Sequence, residues 1–241
     1  MLEAAIEKIL EIAKPEIVTV NKQNFSDKRL ERIWEEVLAE PIRLYSLESF
    51  VKFIKESKDL SGDRNYLIKA EDCRRLSLVS ELNIDRRREV LATVEPLNDV
   101  FEFGDYRNKE QALIELRTQF VDTDDKDILV AFLSKVEVGT VSEYGDDGVT
   151  QKAAVKTGIT TKTNVIVPNI VKLKPFRTFM EVDQPESSFI FRLKESRYNK
   201  DEIECALIES DGGAWKIEAV KNIKKYLEEQ LKDVKNVKVL I

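Results

Sequence analysis

The chain has 241 residues, 42% of them hydrophobic and 35% charged, and a net charge of -6. That length supports one sizeable core or two small ones, and the acidic balance argues against a general nucleic-acid coat. Histidine is absent, which removes the commonest general base and the commonest metal ligand. Eight glycines and six prolines are too few for a linker-rich chain.

In chain order, Leu2, Ile6, Ile9, Leu10 and Ala13 recur at helical spacing. Residues 2 to 14 are therefore expected to form a helix, which Pro15 stops. The opening MLEAAIEKILEIAKP carries glutamates where a signal peptide needs a basic region and an apolar core. No run reaches the ~18 apolar residues of a membrane span. A soluble cytoplasmic protein with no membrane partner is the expectation. IVTV, Ile17 to Val20, reads as a short strand. Ser26-Asp27 reads as the cap of a second helix with Leu30, Ile33, Trp34, Val37 and Leu38 on its apolar stripe. A third helix starts at Ser46, with Leu47, Phe50, Val51 and Ile54 inward, and SGD (61 to 63) is a turn.

From there the period changes. NYLIKAED, CRRLSLVSEL and RRREVLATVEP read as three strands joined by short polar turns. KEQALIELRTQF (109 to 120) returns to helix, and DTDDKD leads into another over Ile128 to Leu133. VEVGTVSEY and VTQKAAVKT flank the hairpin loop GDDG. NVIVPNIVKL, FRTFMEV and SSFIFRLKE follow as strands, then ECALI, a DGG turn, a long helix and a final strand near Val237 to Ile241. The pattern predicts an α+β fold. Helices and β-hairpins occupy residues 1–104, and residues 105–241 are antiparallel and β-rich with a C-terminal strand-turn-helix-strand. The two parts can equally form one continuous domain.

Candidate chemistry is sparse. Cys73 and Cys205 stand alone with no CxxC pair, so a structural zinc site is not indicated. Cys205, in an apolar run, reads as a buried thiol. A disulfide between the two stays open at this point, although low cysteine usage suits a reducing cytoplasm. DTDDKD, Asp122 to Asp127, lacks the glycine and distal glutamate of a calcium loop. Asp124 or Asp125 as a helix N-cap accounts for the cluster, with a divalent metal as the alternative. Arg86 to Arg88, with Arg74 and Arg75, lie in a stretch (64 to 94) of seven bases and five acids. Solvated strand faces or ion pairs suit them better than phosphate contacts. The sequence has no GxSxG, GxxxxGK[ST] or GxGxxG. Neither a catalytic set nor a cofactor is indicated, while carboxylate-only chemistry stays open.

Charge is segregated along the chain. Residues 149 to 180 contain no acid but include Lys152, Lys156, Lys162, Lys172, Lys174 and Arg177. Residues 95 to 127 hold ten acids against four bases. The basic segment is a candidate site for nucleic acid or another anion. Alternatively, the acidic and basic segments of neighbouring subunits meet in a homo-oligomer, or both are solvated faces folded side by side. Phe176, Phe179, Phe189 and Phe191, interleaved with Lys174, Arg177 and Arg192, suit base stacking or a plain β core.

Gly212 and Gly213 separate the ECALI strand from AWKIEAVKNIKKYLEEQL. Exposed helix amides there suit an anion. Asp211, however, is the natural N-cap, and its carboxylate repels a phosphate. A tight strand-to-helix turn is expected, followed by a helix that buries Ile217, Val220, Ile223, Leu227 and Leu231.

DDGVTQKAAVKTGI (146 to 159), VPNIVKLKPFRTFMEVDQPESSFIFRL (167 to 193) and ALIESDGGAWKIEAVKNIKKYL (206 to 227) resemble, in order and spacing, the YfdQ-like proteins of phages and prophages. RRREVLATVEP extends the resemblance, which covers roughly residues 74 to 227 and includes Asp211, Gly212, Gly213 and Trp215. That family carries no assigned reaction. The resemblance implies a protein made inside an infected bacterium, in host takeover or phage DNA metabolism. The expectation is an intracellular protein that acts by binding, as a homo-oligomer, possible partners being nucleic acid or a host protein. The alternatives are a nucleic-acid or nucleotide-binding accessory of phage recombination, a self-assembling ring or shell, and a carboxylate-and-metal enzyme.

Overall fold

The computed structural model describes residues 2–20, 23–26, 38–60, 62–83, 86–136, 142–143, 151–156, 162–196 and 202–241. The fold is α+β, and Cα packing separates residues 1–38 from residues 39–241.

In the first unit, helix α1 (Leu2–Ala13) is followed by the antiparallel hairpin of β1 (Ile17–Val20) and β2 (Gln23–Ser26), with Ile17 opposite Ser26. Pro15 stops the helix as expected. Of the residues at helical spacing in α1, Ile6 and Ile9 stand exposed, as does Ile12. The expected helix over residues 30 to 38 falls almost wholly outside the described residues.

The second unit runs through β3 (Ile42–Leu44), α2 (Leu47–Glu56), β4 (Tyr66–Ala70), β5 (Leu76–Ser80) and β6 (Val90–Val94). Then come β7 (Arg107–Asn108), α3 (Lys109–Thr118), α4 (Asp124–Lys135), β8 (Ser142–Glu143), β9 (Gln151–Lys156) and β10 (Lys162–Ile166). It closes with β11 (Ile170–Leu173), β12 (Ser187–Glu195), β13 (Ile203–Glu209), α5 (Trp215–Gln230) and β14 (Val237–Leu240). The GDDG loop lies outside the described residues.

Among the described residues, three sheets organise this unit. A five-stranded sheet has the order β14-β4-β5-β6-β3. Its central three strands form an antiparallel meander, while β14 and β3 run parallel to their neighbours. Residues from both sides of position 104 therefore build one sheet. Its core joins Ile68, Leu76, Leu78, Ala92 and Val94 to Leu47, Phe50, Val51 and Ile54 of α2 and to Ile223 and Leu227 of α5. Burying each of those leucines and isoleucines stabilises the fold by about 1.5–3 kcal/mol. The helix expected from Ser46 begins at Leu47, and Ser46 caps it, its side chain accepting from the Ser49 N–H at 3.1 Å.

The antiparallel four-stranded sheet has the order β11-β12-β13-β7. Strand β12 alternates strictly, with Ser187, Phe189, Phe191 and Leu193 buried and the residues between them half-exposed. The buried phase packs on Ala112 and Leu116 of α3 and on Leu129, Phe132 and Leu133 of α4. The third sheet, β10-β9-β8, is antiparallel.

Three local expectations are corrected. FRTFMEV is an irregular buried loop, not a strand. Its backbone is satisfied by the Gln184 side chain, whose oxygen accepts from the N–H groups of Arg177 (3.1 Å) and Thr178 (3.3 Å). The Gln184 amide donates to the carbonyls of Phe179 (2.8 Å) and Val182 (3.3 Å). One buried amide thus replaces a neighbouring strand. Helix α4 is capped by Thr123, whose Oγ1 accepts from the Lys126 N–H at 3.3 Å, and not by Asp124 or Asp125. Those two occupy the first turn, where their negative charge complements the helix dipole. On α5 the buried side chains are Trp215, Ala219, Ile223 and Leu227, while Ile217 is 66% exposed. Trp215 joins the interior through Arg177, and that rotates the buried face away from Ile217.

Candidate functional site

Two of the segments quoted above, 167 to 193 and 206 to 227, converge on one buried polar cluster. Arg177, from the loop after β11, is 1% exposed. Its Nη1 donates to Glu209 Oε1, at the end of β13, at 2.5 Å. Its Nη2 donates to Ser187 Oγ, at the start of β12. Ser187 Oγ in turn donates to Asp211 Oδ2 at 2.5 Å. The guanidinium lies over the Trp215 ring, 3.8 Å from its centroid. Phe103 and Phe189, stacked on one another at 4.9 Å, flank it at 5.8 Å. Two buried donors, Arg177 Nε and Trp215 Nε1, have no hydrogen-bond partner among the described residues.

Charge and burial oppose one another here. Burial pushes Arg177 down to about 10, despite the pull of Glu209 and Asp211, and at neutral pH it keeps its proton. Burial also pushes the Asp211 carboxyl up, but hydrogen bonds from Ser187 and the Gly213 N–H, together with Arg177, hold it below its ordinary value. Asp211 does not cap α5. The residue before the helix is Ala214, with no side-chain cap. Asp211 Oδ1 accepts from the Gly213 N–H at 3.0 Å, inside the turn. Gly212 and Gly213 have φ of 63° and 81°, the left-handed region that glycine enters without a Cβ penalty. The turn delivers Asp211 to Ser187 and Trp215 to Arg177.

The loop also joins the two larger sheets. Thr178 Oγ1 donates to the Cys73 carbonyl at 2.6 Å, just before β5. Arg74 Nη2 donates to the carbonyls of Pro96 (3.1 Å) and Asn98 (2.7 Å), and Asn98 Nδ2 donates to the Phe176 carbonyl at 3.2 Å. Phe179 is fully buried in the core of the five-stranded sheet.

The six basic positions separate. Arg177 is interior, so it does not meet a ligand in solvent. Lys172 is exposed, lies 3.7 Å from Glu186, and its N–H donates to Asp125 Oδ2 at 2.7 Å. Lys174 is half-buried, and its carbonyl accepts from the Val121 N–H at 2.9 Å. Lys152 is half-buried on β9. The β9–β10 register sets Lys156 opposite Lys162 and Lys152 opposite Ile166. The acidic stretch meets the basic one within this chain, because α4 packs on β11 and Asp125 holds its edge. DTDDKD serves local structure: Lys126, 4% exposed, pairs with Asp122 and donates to the Phe120 carbonyl. Among the described residues, no three carboxylates or thiols are grouped to hold a metal. Phe179, Phe189 and Phe191 are core residues. Cys73 and Cys205 are both free and buried, and burial pushes Cys205 up to about 12.

Ser187, Glu209 and Gln184 escape the sequence reading. Ser187 left a signal, since it falls in the buried phase of β12, in step with Phe189 and Phe191. A polar residue on an apolar phase points to an interior partner.

No family model, curated protein or solved structure matches the chain. Among the described residues, no helix is long and apolar enough to cross a membrane.

Proposed function

We propose that this protein is made from a phage or prophage gene and acts inside the infected bacterium by binding, as a homo-oligomer, in host takeover or phage DNA metabolism. The observation that carries the binding reading is the amount of aliphatic surface left in solvent. Ile6 and Ile9 stand exposed along α1, and Ile166, Ile170, Met180 and Ile208 stand exposed in the β-rich region. Of these, Ile170 and Ile208 share one sheet face with Ile190, and contiguous exposed apolar patches mark interaction surfaces. Arg177, Ser187 and Asp211 point the other way, into an interior clamp that holds the scaffold. The phage context rests on the resemblance of residues 74 to 227. Expression in a bacterial host, purification and light scattering test the reading. A particle larger than one chain is expected, and a monomer at tens of micromolar overturns it.

A second reading, binding of nucleic acid or a nucleotide, has one specific support. Lys156 and Lys162 sit directly opposite one another in the register of β9 and β10. The stretch from 149 to 180 that contains both strands carries no acidic residue. Lys152, Lys156 and Lys162 changed together to Glu should then abolish salt-sensitive binding of single-stranded DNA. Unchanged binding rejects this reading.

A further inference from the structure

The four-stranded sheet carries a row of three isoleucines. Ile170 on β11 is opposite Ile190 on β12, and Ile190 is opposite Ile208 on β13. Residues directly opposite in a sheet share a face, and here it is the face turned away from α3 and α4. Those helices pack on the other phase, through Phe189, Phe191, Leu193 and Leu207. The row is open at both ends: Ile170 is 67% exposed and Ile208 39% exposed. Ile190 is half-buried between them.

We infer that this face is where a second copy of the chain docks, sheet against sheet about a two-fold axis running along the strands. The inference rests on the homo-oligomer reading above and names its surface. Two observations favour a second copy over another occupant. The row is self-complementary. A two-fold along β12 sets Ile190 on Ile190 of the partner subunit and Ile170 on the partner's Ile208, so every contact is aliphatic on aliphatic. Sheets that pack face to face keep their strands within about 30° of one another, which this axis satisfies. Two ion pairs also flank the row. Lys172 pairs with Glu186 at 3.7 Å on one side, and Lys194 with Glu204 at 3.0 Å on the other. The pairs form a polar rim around an apolar centre, and Arg192, half-buried opposite Ala206, lies on the same face. A nucleic acid needs unpaired cations at this place, and the lysines of this face are committed to glutamates.

The pairing is tested by complementation. Ile170→Glu and Ile208→Lys are made separately, and each is checked for native circular dichroism and melting. Mass is measured by light scattering at tens of micromolar. Each variant alone places two charges against isoleucines in the interface, so its dimer should weaken about 100-fold or more and run as a monomer. Mixed, the two variants set the introduced glutamate of one chain against the introduced lysine of the other on one side. Isoleucine meets isoleucine on the opposite side, and the dimer should return. Should a charge unfold the chain, Ile170→Thr and Ile208→Thr keep the β-branch and should still weaken the dimer. A wild type that is oligomeric while both single variants stay oligomeric overturns this surface and leaves the homo-oligomer reading standing. Folded monomeric variants that fail to recombine overturn the two-fold pairing. A monomeric wild type overturns both.

Discussion

Arg177→Ala should be among the costliest single changes in the chain. The substitution removes the 2.5 Å ion pair to Glu209, the bond to Ser187 and the 3.8 Å stack over Trp215. Hydrogen bonds to a charged group contribute about 1.5–3 kcal/mol each, and a desolvated cation–π contact about 2 kcal/mol. Against these stands the desolvation of a guanidinium that is 1% exposed, a cost of several kcal/mol that the variant escapes. A cavity under Trp215 adds to the loss. Breaking a buried pair by deleting one partner costs about 3–5 kcal/mol in net. At about 2–4 °C per kcal/mol for a unit of this size, the melting temperature should fall by roughly 6–20 °C. Arg177→Met separates charge from packing. It keeps the length and the contact with Trp215 but strips Glu209 and Asp211 of their cation, so it should recover only the cavity part of the Ala loss and remain less stable than wild type. Urea unfolding followed by Trp fluorescence reads both. An Ala variant within about 0.5 kcal/mol of wild type refutes the clamp, and a Met variant as stable as wild type refutes a net contribution from the ion pair.

Three further outcomes are expected. Asp211 ionises below its ordinary value of 3.8, so its contribution is complete above that pH and disappears as the pH falls through the lower folded value. Asp211→Asn should therefore be less stable than wild type at pH 7 and converge on it in acid, as pH-dependent urea titrations will show. Cys73 and Cys205, both buried with raised pKa, should resist a thiol reagent at pH 8 in the folded protein and react fully in denaturant. Rapid labelling of Cys205 in the native state contradicts its placement under α3. Gly213→Ala meets no atom closer than Lys216 Cε at 4.0 Å. Its cost is the left-handed backbone alone, about 1–2 kcal/mol, and Gly213→Asn should lose less because asparagine tolerates that region. Equal losses for Ala and Asn contradict the positive φ.

Much of the fold was legible because it is local. The apolar spacing of LESFVKFIKE, the Ser46 cap, the alternation of SSFIFRLKE and the Gly-Gly break before α5 are each decided within a few residues. Where the sequence misled, a distant partner had won. FRTFMEV has strand composition, but Gln184 takes its amides. Asp211 has the right type and place for a cap, but Ser187 and the Gly213 N–H hold its carboxylate inside the turn. Arg177 has the composition of a solvent-facing cation, yet Glu209, 32 positions on, draws it inside. Burial of a charge depends on what the rest of the chain brings to it, and no local pattern encodes that.

The sequence by itself determined the α+β class, the helices and strands with strong periods, the acidic balance and the segregation of charge. Tertiary structure alone decided that the acidic helix α4 lies against the basic strand β11 of the same chain. It also decided that segments 167 to 193 and 206 to 227 meet in a buried clamp, and that Ile170, Ile190 and Ile208 line up across three strands. The reason is register. Residues 170, 190 and 208 are far apart along the chain, and only the pairing of β11, β12 and β13 makes them neighbours.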